Sequence, residues 1–336
     1  MIKLSSAAPV VAVIAGAAVA TAVIGYFNYH AVLDAMAPIG VSGSGLIIAS
    51  QLALMVPLGL AWFLVAPGEP LRRLSLFVWG RLMREAASDV LPFSQLGGFV
   101  IATRAMVVSG VAGPMAVGSG VVDLTVEIVA QILYTLLGIA LLVTRFAAPA
   151  QLNGLVGSIL AGLVVVAIMV AGFVFVQRRG LVRLEQLIER FAPNAAQQSG
   201  EVHRVVESSY AMPARLWGGL AAHVGCWIAS AAATWLILRL IDRPLPFLSV
   251  VTIESLLFAI KNAAFVVPTG IGVQEGAYAL LGPLFGLPAE AALALSLLKR
   301  ARDIVIGVPV LLAWQVVEGR RTQARAAEKG RDLPAA

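Results

Sequence analysis

Residues 265–276 read FVVPTGIGVQEG and interrupt an otherwise apolar part of the chain, with apolar stretches at 245–267 and 277–287 on either side. The proline and the two glycines disfavour a continuous helix, and Gln274 and Glu275 add polar groups. Backbone freed from helical hydrogen bonds at membrane depth survives only where protein or a water-lined cavity satisfies it, and transporters place substrate sites at such breaks. The segment therefore predicts a functional site at a broken helix.

The composition is that of an integral membrane protein. Hydrophobic residues make up 60% of the 336 positions and charged residues only 12%. Crossing a bilayer takes about 20 consecutive apolar residues. Six windows reach that length, at 9–27, 45–66, 121–146, 152–176, 216–240 and 291–317. The first apolar run is longer than a signal-peptide core, so we expect an uncleaved anchor.

Two further apolar stretches, 71–118 and 245–286, contain Pro and Gly breaks. Lys and Arg gather at 72–84, 178–204 and 320–331, and cytoplasmic loops are the ones enriched in these residues. This distribution places both termini on the cytoplasmic side. The stretch 71–118 then begins and ends on the cytoplasmic side, and the stretch 245–286 begins and ends on the outer side. Each is predicted to be a re-entrant hairpin. The predicted loop residues are Pro92, Gly97, Gly98, Pro268, Gly270 and Gly272.

The predicted fold is an all-α polytopic membrane protein with six transmembrane helices and two re-entrant helical hairpins in an inverted-repeat arrangement. Its parts are an anchor helix and outer loop (1–44), a first half (45–176), a cytoplasmic amphipathic segment (177–215), a second half (216–319) and a basic cytoplasmic tail (320–336).

Charged side chains within the apolar windows are candidate functional groups, because a charge near the bilayer centre costs at least about 2.5–3.5 kcal/mol. They stand at helical spacing in pairs, such as Asp123 with Glu127 and Lys299 with Asp303. The candidate headgroup-binding residues are Arg104, Asp123, Glu127, Glu254, Lys261, Gln274, Glu275, Lys299, Arg300 and Asp303. Structural ion pairing is the alternative interpretation of any one of them.

Glu275 is the sharpest candidate, since it lies one turn into a helix opened by Gly270 and Gly272. Free backbone N–H groups at such a helix start attract an anion. Either a lipid phosphate or Glu275 itself can be that anion. A phosphate would need Lys299, Arg300 or Arg104 as its counter-charge.

Other chemistry finds little support in the sequence. The single cysteine excludes a disulfide, and the three histidines lack metal-binding spacing. Ser94 and Ser119 have no convincing histidine partner for nucleophilic catalysis. We therefore expect no enzyme activity, no cofactor and no metal. The net charge of +6 is interpreted as a topology signal rather than as nucleic-acid binding.

Residues 254–307 contain a proline-glycine turn, a Gly-x-x-Glu motif and a helix ending in Ser-Leu-x-x-Arg, on Pro268, Gly270, Gly272, Glu275, Ser296, Leu297 and Arg300. This stretch resembles the transmembrane flippase-like family that includes the membrane half of lysylphosphatidylglycerol synthases. The earlier stretches LPFSQLGGFVIATRA and VVDLTVE are similar to its hopanoid-biosynthesis-associated branch. The resemblance covers about residues 45–321. Lys261 and Asn262 stand where an arginine is expected in related chains.

The resemblance implies two inverted halves and movement of an amphiphilic lipid, of phospholipid or hopanoid type, through a central polar cavity. The soluble transferase domain of the synthases is not expected, so lipid aminoacylation is not carried over. Two alternatives stay open: a non-catalytic scaffold for lipid biosynthesis and an intramembrane lipid-modifying transferase. The expected location is the bacterial cytoplasmic (inner) membrane. The expected partners are a membrane lipid, lipid-biosynthesis enzymes and a second copy of the chain.

Overall fold

The computed structural model describes residues 37–91, 94–145, 193–263 and 272–331, together with the isolated positions Gly157 and Val164. All regular secondary structure within these ranges is helical. The α-helices there are α1 Gly40–Leu64, α2 Leu74–Val90, α3 Ser94–Val108, α4 Gly113–Arg145, α5 Pro193–Tyr210, α6 Pro213–Leu240, α7 Phe247–Ala263, α8 Val273–Leu281 and α9 Ala289–Arg331. Short 3-10 turns occupy Ala37–Ile39, Leu71–Arg73 and Gly282–Phe285.

Three of the six predicted spans are confirmed as helices long and apolar enough to cross a membrane, namely α1, α4 and α6. The window 9–27, and 152–176 apart from Gly157 and Val164, lie outside the described residues. The sixth window lies within α9, where a cluster of four charged residues at 299–303 interrupts the apolar sequence. That helix therefore lacks the uninterrupted apolar stretch of a simple span.

The first predicted hairpin is a helix, a break and a second helix. α2 ends at Val90, and Leu91 has extended backbone with φ −94° and ψ 146°, as expected for a residue that precedes a proline. Pro92 lies outside the described residues. Gly97 and Gly98 are the fourth and fifth residues of α3 and do not lie in the loop, so the break is shorter than predicted. α2 and α3 pack directly, and a Cβ on Gly98 would stand 2.7 Å from the carbonyl oxygen of Arg84.

The second predicted hairpin is also interrupted. α7 ends at Ala263 and the nine-residue α8 begins at Val273. Pro268 and Gly270 fall in 264–271, outside the described residues. Gly272, the residue before α8, has φ +80°, a backbone conformation that side-chain-bearing residues rarely adopt. α8 packs against both α7 and α9.

Two large apolar clusters hold most of the described helices together. One includes Trp62, Phe77 and Met106 and joins α1, α2 and α3 to α4. The other includes Ile237 and Tyr278 and joins α6, α7, α8 and α9. α4 packs against α7 and α9 packs against α2, so helices from both predicted hairpins are held within one bundle. Of the predicted amphipathic segment 177–215, residues 193–210 form α5, which packs on α4.

Candidate functional site

Arg81 and Arg84 of α2 form a buried ion-pair network with Asp123 and Glu127 of α4. Arg84 Nη2 lies 2.8 Å from Glu127 Oε2, and Arg81 Nη1 donates to the same oxygen at 3.0 Å. Both guanidinium groups also approach Asp123 Oδ2, at 3.6 and 3.5 Å. The other carboxylate oxygen of Asp123 lies 2.9 Å from Nε2 of His223 on α6. All five residues are at most 5% exposed.

Helical spacing explains this network. Arg81 and Arg84 stand at i,i+3 on α2, and Asp123 and Glu127 at i,i+4 on α4, so each pair occupies one face of its helix. The sequence interpretation placed both arginines among the basic residues that mark cytoplasmic loops. The structure shows in addition that both lie inside the bundle with two buried carboxylates as partners. Their i,i+3 spacing in an apolar segment was the sequence feature that could have indicated a shared, buried helix face.

A second polar group joins four helices around Lys299. Its Nζ lies 2.7 Å from Glu254 Oε2 on α7, and it donates to the Tyr278 hydroxyl on α8 at 2.7 Å. A weaker contact of 3.2 Å reaches Thr234 Oγ1 on α6. Tyr278 in turn donates to Glu254 Oε1. These side chains neutralise one another and satisfy most of their hydrogen-bonding groups.

Glu275 lies in the first turn of α8. Its Oε2 accepts a hydrogen bond from the backbone N–H of Gly272 at 2.8 Å, and its Oε1 accepts one from Arg300 Nε at 2.9 Å. The residue is fully buried, whereas the Arg300 side chain is 21% exposed. The sequence left two possible anions at this helix start, a lipid phosphate and Glu275. In the structure, the Glu275 carboxylate occupies this position.

A chain of neutral polar groups extends from this ion pair to a second cation. Gln274 Nε2 donates to Ser296 Oγ at 3.1 Å, and Lys261 Nζ donates to Gln274 Oε1 at 3.2 Å. Ser296 Oγ also lies 3.4 Å from Glu275 Oε1. Lys261 and Arg300 are both partly exposed. The polar chain thus runs between two accessible positive charges through buried donors and acceptors.

The remaining two candidates lie apart from these groups. Arg104 pairs with Glu318 of α9 at 2.6 Å, and its side chain is 49% exposed. Asp303 accepts from Arg302 at 2.7 Å and lines a small cleft with Gln51, Glu85 and Asp89. The ten predicted residues therefore fall into several paired groups within the described part of the chain, rather than lining one shared chamber.

The described residues contain no group of three or more His, Cys, Asp or Glu side chains arranged to hold a metal ion. Asp123 and Glu127 both face the guanidinium groups of Arg81 and Arg84.

Residues 10–310 match the family model described as the lysylphosphatidylglycerol synthase TM region. The chain belongs to this family. The resemblance carried by the Pro-Gly turn and the Gly-x-x-Glu motif is thereby confirmed at the level of the family. Comparison with curated proteins and with solved structures gave no match. Membership of the lysylphosphatidylglycerol synthase transmembrane family indicates a function related to membrane lipids.

The region that matches the family model, residues 10–310, contains every candidate site residue. The ion-pair groups of α2, α4, α7, α8 and α9 therefore belong to the part that defines the family. Glu318, the partner of Arg104, lies beyond the match.

Proposed function

We propose that this protein moves an amphiphilic lipid between the leaflets of the bacterial cytoplasmic (inner) membrane. The observation that carries the proposal is the contact between Glu275 and Arg300 at the start of α8, where a buried carboxylate caps a broken helix and a partly exposed cation holds it. Transporters use such half-helix starts to bind anionic substrate groups.

Burial of so many ionised groups supports a functional role. Eight charged residues of α2, α4, α7, α8 and α9 are at most 9% exposed, namely Arg81, Arg84, Asp123, Glu127, Glu254, Glu275, Lys299 and Arg302. A buried ion pair often stabilises a fold no more than well-packed apolar residues of the same volume do. Ionised groups within membrane segments accordingly mark substrate or ion paths.

The geometry defines how an anionic headgroup would bind. A phosphate oxygen can take the place of a Glu275 carboxylate oxygen against the Gly272 N–H and the Arg300 guanidinium, because both donors suit either anion. Lys261, at the other end of the polar chain, supplies a second cation. The hydrocarbon tails would stay in the surrounding lipid. A phospholipid fits these charges directly; a hopanoid does so only if it carries an anionic headgroup.

The same ion pairs favour a second candidate function, a non-catalytic scaffold for lipid-biosynthesis enzymes. Lys299 and Glu254 neutralise each other, as do the two arginines and two carboxylates of the first network. A scaffold needs such pairs only for stability. Lipid-synthesis enzymes would then be binding partners, and a second copy of the chain is a further proposed partner.

Reconstitution separates the two candidates. Purified protein in vesicles of phosphatidylethanolamine and phosphatidylglycerol, with a trace of fluorescent phosphatidylglycerol, is treated with a membrane-impermeant quencher. A flippase makes inner-leaflet probe accessible. Arg300→Ala should slow this at least about tenfold because it removes a charge-assisted contact to the phosphate. Glu275→Gln should alter the rate because it removes the charge of the carboxylate that the phosphate displaces. Arg204→Ala, which changes an arginine whose side chain is 76% exposed, is the matched control.

Two outcomes would contradict the proposal. Probe protection equal to that of empty vesicles would favour the scaffold. Equal rates in wild type, Glu275→Gln and Arg300→Ala would remove the headgroup site from the break in the second hairpin.

A further inference from the structure

A polar patch lies at membrane depth where α4 meets the end of α7. Asn262 Nδ2 donates a hydrogen bond to Gln131 Oε1 at 2.7 Å. Asn262 is exposed and Gln131 is partly exposed. Any stretch of about 20 residues within Gly113–Arg145, the length that crosses a bilayer, includes position 131. Because α4 is a candidate span, Gln131 lies at the level of the hydrocarbon core, and Asn262 lies at the same depth.

The two amides do not satisfy each other completely. Their mutual hydrogen bond leaves the Asn262 side-chain oxygen and the Gln131 amide nitrogen without a hydrogen-bond partner among the described residues. Lipid tails offer neither a donor nor an acceptor, and a polar group without either water or a partner is costly. An exposed amide pair at this depth therefore faces water or a polar ligand rather than hydrocarbon.

The patch lies on the packed side of α4 and not on its lipid-facing side. Gln131 shares a helix face with Tyr134 and Gly138, which are buried against α7. Leu133 and Leu136 are 44% and 39% exposed and point away from that face. The exposed amides therefore mark an opening at the edge of the contact between α4 and α7.

Lys261 joins this opening to the headgroup site. It precedes Asn262 on α7, and its Nζ donates to Gln274 Oε1, the first member of the polar chain that leads to the start of α8. The side chain is partly exposed and forms no ion pair among the described residues. Asp89 acts on it electrostatically, but over a longer distance than an ion pair. The opening thus combines two amides with one positive charge that can attract an anion.

A hydroxyl group fits the free positions of the amide pair. The Asn262 oxygen needs a donor and the Gln131 amide nitrogen needs an acceptor, and a single hydroxyl supplies both. A phosphodiester only accepts hydrogen bonds and an ammonium only donates them, so neither satisfies the pair alone. A phosphate does suit the ammonium of Lys261. The patch therefore fits a headgroup that carries hydroxyl groups beside its phosphate.

We propose that Gln131, Asn262 and Lys261 form the opening through which a lipid headgroup reaches the start of α8. This role rests on the lipid movement proposed above and adds a substrate class to it, namely an anionic lipid with a polyol headgroup. The two amides bind the hydroxyl groups and Lys261 binds the phosphate. The hydrocarbon tails stay outside, against the exposed leucines of α4.

The opening is tested without any lipid transport. In a Cys226→Ala background, which removes the single cysteine, three variants each introduce one thiol, namely Asn262→Cys, Gln131→Cys and Leu133→Cys. The proteins are placed in nanodiscs of phosphatidylethanolamine and phosphatidylglycerol and treated with the charged reagent sulfonatoethyl methanethiosulfonate. The thiolate is the reactive form, and apolar surroundings suppress it. Asn262→Cys should therefore react at least about tenfold faster than Leu133→Cys, the lipid-facing control.

Gln131→Cys gives the same measurement from the other helix, whether or not Asn262→Cys folds. Reaction at both positions no faster than at Leu133→Cys overturns the opening. Lipid tails or a second copy of the chain covering the amides would give that result.

The substrate class is tested in the vesicles described above with two probes, phosphatidylglycerol and phosphatidylmethanol, each labelled on an acyl chain. Both are phosphodiesters with one negative charge, and only the first has a headgroup with hydroxyl groups. Wild type should move phosphatidylglycerol about tenfold faster, as two additional neutral hydrogen bonds predict. Asn262→Leu keeps the size of the side chain and removes its amide, so it should bring the ratio of the two rates close to one. Arg204→Ala, the exposed control, should keep the wild-type ratio.

Equal rates for the two probes in wild type, or a ratio that Asn262→Leu leaves unchanged, overturn the substrate class. Vesicles in which wild type moves neither probe contradict the proposed function instead. The reactivity of the introduced thiols then decides by itself whether the opening exists.

Discussion

Lys299 and Glu254 are 45 residues apart in sequence, yet their Nζ and Oε2 atoms lie 2.7 Å apart inside the bundle. Glu254 is 0% exposed and Lys299 is 7% exposed. The pair ties α9 to α7, and the Tyr278 hydroxyl joins it from α8. Two elements on either side of the helix break are therefore fixed to each other by ionised groups.

Removing one member of this pair should be more damaging than removing both. Lys299→Met leaves the Glu254 carboxylate buried without its cation, a change that typically costs about 3–5 kcal/mol of unfolding free energy. Lys299→Met/Glu254→Leu should recover a large part of that loss. Unfolding in detergent, followed for wild type, both single variants and the double variant, gives the coupling energy. Additive losses in the double variant would show that the two charges do not stabilise each other.

Two arginines of the first half should differ in their importance for stability. Arg84 is 3% exposed and its Nη2 lies 2.8 Å from Glu127, whereas Arg104 makes a half-exposed pair with Glu318. Arg84→Gln should lower the unfolding free energy by about 3 kcal/mol or more. Arg104→Gln should lower it by no more than about 1 kcal/mol, the usual value of an exposed pair. Similar losses for both variants would contradict the placement of Arg84.

Gly272 should resist substitution because of its backbone conformation. Its φ of +80° is strained for alanine, and its N–H is the donor that Glu275 accepts from. Gly272→Ala should cost about 1–3 kcal/mol of stability and slow lipid movement in vesicles. Gly276→Ala, four residues farther along α8 with open space at the Cβ position, is the matched control. Equal behaviour of the two variants would exclude a special role for Gly272.

Gly138 of α4 lies in tight contact with Ser255 of α7. A Cβ placed on it would stand 2.7 Å from the Cβ of Ser255 and would overlap the Ser255 hydroxyl. Gly138→Ala should therefore destabilise the bundle by about 1–3 kcal/mol through overpacking. Gly225→Ala, at a helical position of α6 with nothing within 4 Å, should be neutral or slightly stabilising because alanine favours a helix. Comparable unfolding midpoints for both variants would contradict the tight contact.

The residues of the candidate site could be predicted from the sequence where the informative pattern lies within a single helix. Asp123 and Glu127 share a face by their spacing, and Glu275 follows a glycine-rich helix start, so both were identified as special. Their partners were harder to find. The pairing of Arg81 and Arg84 with Glu127, and of Arg104 with Glu318, was not predicted, because sequence gives the position of a charge along one helix and not the helix that faces it.

By itself, the sequence determined the helical class, the candidate spans α1, α4 and α6, and the interruption of two further apolar stretches. These features depend on the length of an apolar segment and on the Pro or Gly residues within it, so each can be identified from one segment alone. Only the tertiary structure decided which charges meet. Contacts such as the Arg81–Glu127 ion pair and the His223–Asp123 hydrogen bond join segments 46 and 100 residues apart. A buried charge is stabilised by whichever opposite charge packing brings within a few ångströms, and that distance is set by how the helices assemble.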